Sequence, residues 1–86
     1  MTINDVKKYY DNELKDVERL LGDNAPAWAK PKEVVTNSIQ RCLGVAEFAQ
    51  TVGLTYEEVT KCYIETRNKL ENLLKETLDK KHTYSV

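Results

Sequence analysis

VAEFAQTVGLTYEEVTKCYI, residues 45–64, decides the fold of this chain. Phe48, Ala49 and Val52 are the last apolar positions of a helical run that stops at Gly53. Glycine takes the left-handed conformation that closes a helix without steric cost. Thr55 and Glu58 have the Thr-x-x-Glu spacing of a capping box, in which Thr55 accepts from the Glu58 N–H and Glu58 reaches back. Leu54, between the two helices, is too apolar for water and is predicted to plug the corner. The stretch therefore reads as helix, tight link, helix.

Upstream, apolar residues recur at helical spacing over 32–52: Val34, Val35, Ile39, Cys42, Leu43, Val45, Ala46, Phe48, Ala49 and Val52. They cover more than half of a helical wheel, which predicts a central helix with a neighbour on each side. Ser38, Cys42 and Ala49 form a seam of small side chains where another backbone can come near. Gly44 lies off that seam and costs about 1 kcal/mol against alanine in mid-helix.

Downstream, a third helix is predicted over 56–80. Val59, Tyr63, Thr66, Leu70, Leu73 and Thr77 alternate spacings of four and three, a heptad rhythm. Cys62, Leu74 and Leu78 widen its apolar face. Its other face carries Glu57–Lys61, Glu65–Lys69, Glu71–Lys75 and Glu76–Lys80 with the acid four residues before the base, the favourable order. This helix is expected to outrun its neighbours and to end in a frayed tail over 81–86.

The first helix is predicted over 3–21, with Val6, Tyr10, Leu14, Val17 and Leu21 on one stripe. Thr2 and Asp5 supply a start signal. Lys7, Lys8, Asp11, Lys15, Asp16 and Glu18 make a solvated face. Tyr9 and Tyr10 differ by ~100° around the helix, so both cannot enter one core. Gly22, Pro26 and Pro31 interrupt helicity, and Pro31 suits the first position of the second helix. Trp28 in this link either folds back as a lid over the bundle end or stands out as an anchor for a partner. The whole reads as one domain, 1–86: an all-α three-helix bundle with a long central helix and a tight helix-turn-helix-like corner at 53–55.

Thirteen basic and fourteen acidic residues leave a formal charge of −1, with no general pull toward nucleic acid or anionic lipid. No apolar run approaches a membrane span, and the N-terminus lacks the apolar core of an export signal, so a cytoplasmic protein is expected. Cys42 and Cys62 fall on apolar faces and read as small hydrophobes. The single histidine, His82, sits in the tail, far from a partner thiol. Glu47 is the acid to weigh for acid-base work because it lies near the corner, but it stands opposite the small-residue seam. Nothing here makes a nucleophile pair, a metal cluster or a phosphate loop, so neither catalysis, metal nor cofactor is expected.

Ala49, Gly53 and Val59, with apolar Phe48, Val52, Leu54 and Cys62, resemble the helix-turn-helix of phage repressors over about 20 residues, a match that implies DNA binding by the second helix of the corner. That helix opens with Glu57 and Glu58 and offers Lys61 as its base, so the family's DNA-reading residues do not carry over. The stretch SIQRCLGVAEFAQTVGLTYEEV is similar to small phage and prophage proteins of Gram-positive bacteria. That resemblance implies a compact helical inhibitor or adaptor of a host factor, such as an anti-CRISPR or other anti-defence protein. Two functions follow: a non-enzymatic protein binder or, alternatively, a small DNA-binding regulator. Tyr9, Trp28 and Tyr56 are the candidate anchors for a protein partner, with Lys8 and Arg41 at the rim. A homodimer through Leu70, Leu73 and Leu74 of the third helix is also expected.

Overall fold

The computed structural model describes residues 1–22 and 25–84, with side chains described as far as residue 80. It contains three helices: α1 (Ile3–Leu21), α2 (Pro31–Thr51) and α3 (Tyr56–Tyr84). Each packs against both others, giving an all-α three-helix bundle. The core is formed by Val6, Tyr10 and Val17 of α1, by Val35, Cys42, Ala46 and Ala49 of α2, and by Val59 and Leu70 of α3.

The helix boundaries follow local chemistry. At the start of α1, Thr2 and Asp5 make a complete reciprocal box. The Thr2 N–H donates to Asp5 Oδ2 at 2.8 Å and the Asp5 N–H to Thr2 Oγ1 at 3.4 Å. Bonds from the Thr2 backbone and side chain also hold the Asp5 carboxyl below its usual pKa. Pro31 opens α2 in the first turn, where its missing N–H removes no helical bond. At its far end Gly53 has φ of +104°. Its N–H donates to the Gln50 carbonyl at 3.2 Å, and the Leu54 N–H reaches the Ala49 carbonyl at 3.0 Å. That pair of bonds is the Schellman closure, and it needs a residue free to take positive φ. The Glu58 N–H then donates to Thr55 Oγ1 at 3.4 Å and starts α3. Leu54 packs against the core as the corner plug.

Several details differ from the pattern in the sequence. The buried stripe of α1 is Val6, Tyr10, Glu13 and Val17. Glu13 takes the inward place expected of Leu14, which is half-buried. Phe48 and Val52 are 54% and 45% exposed, whereas Ala49 beside them is fully buried. Two neighbours cover the inner part of the broad apolar face of α2 and leave both its flanks in water. α3 continues past Lys80 to Tyr84. Residues 85–86 of the expected tail lie outside the described residues, as do the side chains of His82 and Tyr84. Glu71, expected to reach forward to Lys75, pairs back with Arg67 at 3.5 Å. The heptad positions of α3 point into the chain's own bundle: Val59, Thr66 and Leu70 are buried, and Tyr63, Leu73 and Thr77 half-buried. No helix among the described residues is long and apolar enough to cross a membrane.

Candidate functional site: the two flanks of α2

The α1 flank is built on a buried carboxylate. Glu13 is 8% exposed and receives four hydrogen bonds. Ser38 Oγ donates to Oε2 at 2.8 Å, and Arg41 donates from Nε to Oε1 at 2.8 Å and from Nη2 to Oε2 at 3.0 Å. The Tyr9 hydroxyl donates to Oε1 at 3.2 Å. Burial alone would push the Glu13 carboxyl up. The bonds from Arg41 and Ser38 outweigh that, and its pKa lies below the usual value. The bond to Glu13 raises the Arg41 guanidinium further above its usual value. Tyr9 is pushed up by burial and by the Glu13 charge. A bidentate guanidinium–carboxylate pair with two further donors is directional, and it sets one register of α1 on α2. The Tyr10 hydroxyl adds a bond to the Cys42 carbonyl at 2.9 Å. The Cys42 thiol is buried and lifted to about 11, an unreactive setting.

Sequence reasoning missed Glu13. Its signal was its place: 6, 10, 13 and 17 alternate spacings of four and three, so an acid occupies a core position of a heptad. Ser38 and Arg41, three residues apart on α2, are the donors such an acid needs. Ser38 thus serves as a polar clasp within the expected small-residue seam.

Tyr9 and Arg41, two of the predicted partner contacts, are brought together by Glu13. Both keep outer surface: Tyr9 is 37% exposed, and the Arg41 side chain 49%. Phe48 lies seven residues beyond Arg41, two turns along the same face of α2, and Val52 one turn further. Gly44 is one turn before Phe48, with nothing within 4 Å of where its Cβ would stand. The flank therefore presents Tyr9, Arg41, Phe48 and Val52 to solvent. Lys8 is exposed ~100° around α1 from Tyr9. Trp28 is 71% exposed in a turn closed by the Ala29 N–H on the Pro26 carbonyl at 3.0 Å. It is presented outward, so it is not a lid. Tyr56, 67% exposed, opens α3 at the corner. The length of α2, about 30 Å, separates it from the link that carries Trp28. The three aromatic anchors thus do not form one patch.

The α3 flank is a shallow apolar groove of about 280 Å³. Leu43 and Ala46 of α2 face Tyr56, Tyr63 and Ile64 of α3 across it, and Glu47 and Arg67 stand on opposite walls. The Arg67 guanidinium lies 5.9 Å from the centre of the Tyr63 ring. Of the leucines predicted to join two copies, Leu70 is fully buried within the single chain, and Leu73 and Leu74 pack partly against the same core. Leu70 is therefore spent inside the bundle and is closed to a second chain. Among the described residues no cluster of side chains suits a metal ion. No family model matches the chain, and neither a curated protein nor a solved structure matches it.

Proposed function

We propose that the chain is a protein-binding module that acts by contact through the α1 flank of α2, without catalysis. The observation that carries this reading is the exposure of Phe48 in the last turn of α2 and of Val52, its capping residue, on a flank beside the helix's buried inward face. On the same flank stand Tyr9 and Arg41, each hydrogen-bonded to Glu13. Aromatic rings and arginine dominate binding hot spots, and side chains already held in place lose less entropy on docking. The likeness to small phage proteins makes a host protein the first partner to try. Against the DNA-binding alternative stand Glu57 and Glu58, exposed at the start of α3 where a reading helix would meet phosphates.

Affinity capture with the intact chain and with Phe48→Glu tests the reading. A protein held by the first and lost from the second, with equal thermal midpoints, supports it. Capture of DNA that falls steeply as salt rises would establish the regulator instead, because phosphate contacts release counterions.

A further inference from the structure

We infer that the groove on the α3 flank is closed by a second copy of this chain, so that the protein is a homodimer through α2 and α3. The chain by itself is under-buried. Its accessible surface is 6236 Å². A monomer of its mass ordinarily exposes about 5,200 Å². Its radius of gyration is 14.4 Å, where a compact chain of this length has about 12 Å. The surplus of about 1,000 Å² compares with the roughly 800 Å² that each partner gives to a standard interface. The free end of α3 holds part of it. The groove is where the rest can be hidden, because Leu43, Tyr56 and Ile64 are 37%, 67% and 45% exposed there.

A second copy suits this face because a two-fold interface must be complementary to itself. A face of one charge sign would repel its own image. This one carries an acid, Glu47, on one wall and a base, Arg67, paired with Glu71, on the other, so neither sign fills the groove. The chain's net charge of −1 leaves little long-range repulsion between two copies. The inference moves the dimer contact from the buried Leu70 to Leu43 and Ile64, and it leaves the Phe48 flank free for a different partner.

Sedimentation equilibrium of the intact chain from 10 µM to 1 mM, ~100-fold in concentration, tests it at a scale suited to weak dimers. The wild type should approach twice the 9.9 kDa chain mass. Ile64→Glu and Leu43→Glu, both at exposed positions, should stay monomeric with unchanged helical circular dichroism. Phe48→Glu should dimerise as the wild type does, which separates this test from that of the partner site. A wild type that is monomeric at 1 mM overturns the inference. So does undiminished association of both groove variants, or a photo-crosslinker at Ile64 that captures a different protein and never a second copy.

Discussion

The two seams of α2 are held by different physics. Its seam with α1 contains the buried carboxylate and four inter-helix hydrogen bonds, three to Glu13 and one from Tyr10 to the Cys42 carbonyl. Its seam with α3 is packed by apolar residues and opens into a groove. The connections explain the contrast. Nine residues, 22–30, separate α1 from α2, too long a connection to set a register by itself, so register must come from directional contacts. α3 follows α2 through four residues whose Schellman bonds and positive φ set the helix pair before any side chain packs. Once the turn sets the register, the side chains need only exclude water, and they can afford an unfilled cleft.

The contrast is broken most severely from the polar side. Arg41→Ala strips Glu13 of its charged partner and leaves a buried carboxylate with Ser38 and Tyr9. We expect a loss of about 2–3 kcal/mol, read as a shift of the urea midpoint, because an uncompensated buried charge costs more than its pair contributes. A shift under ~0.5 kcal/mol would mean that the pair does not hold the seam. On the other seam, Gly53→Val should cost about 1–2 kcal/mol, since a β-branched residue resists the left-handed region. The Cβ itself meets nothing within 4 Å, so the loss would be conformational rather than steric. An unchanged thermal midpoint would show that the turn does not set the α2–α3 register.

These two seams were unequally legible. The corner could be read in advance because its chemistry is local: glycine at the turn and threonine at the cap act within five residues of each other. The apolar rhythm likewise marks the helices. The Glu13 clasp joins residues 25 and 28 positions apart, and a carboxylate on a charged helix carries no local mark of burial. Phe48 and Val52 belong to the apolar face that the spacing marks, yet they stand in water, for the converse reason. Periodicity reports how apolar a face is, but the number of neighbours decides how much of it is covered. Trp28 follows the same rule, since its alanine neighbours suit a lid and the Pro26 turn points it outward.

Acid sharpens the comparison. Glu13 titrates below its usual value in the folded chain, so its contribution is complete above the unfolded carboxylate pKa of about 4.3 and is lost as pH falls through the folded value. Glu13→Gln should be less stable than the wild type by about 1–1.5 kcal/mol at pH 7. That gap should narrow as the pH is lowered below about 4, while the cost of Gly53→Val stays nearly constant, because the two bonds that close the turn at Gly53 run between backbone groups. Paired urea titrations at pH 7 and pH 3 would show it. A gap that is the same at both values would mean that Glu13 holds α1 to α2 through shape alone.

The smallest effect concerns Gly44, and its sign is positive. Glycine in mid-helix gives up more chain entropy on folding than alanine does, and the helix loses up to about 1 kcal/mol. A glycine kept there usually makes room for a neighbour, yet here its Cβ would meet nothing within 4 Å. Gly44→Ala should therefore stabilise the isolated chain by about 0.5–1 kcal/mol, a rise of a few degrees in thermal midpoint. The residue stands one turn before Phe48 on the flank assigned to a partner. If that partner lies flat against α2, the methyl group intrudes, and the same variant binds more weakly although it is more stable. Stability and affinity moving in opposite directions would assign the glycine to the contact and place the partner within a few ångströms of the α2 backbone. If affinity is unchanged, the partner holds Phe48 and Val52 by their side chains and stands off from the helix at Gly44.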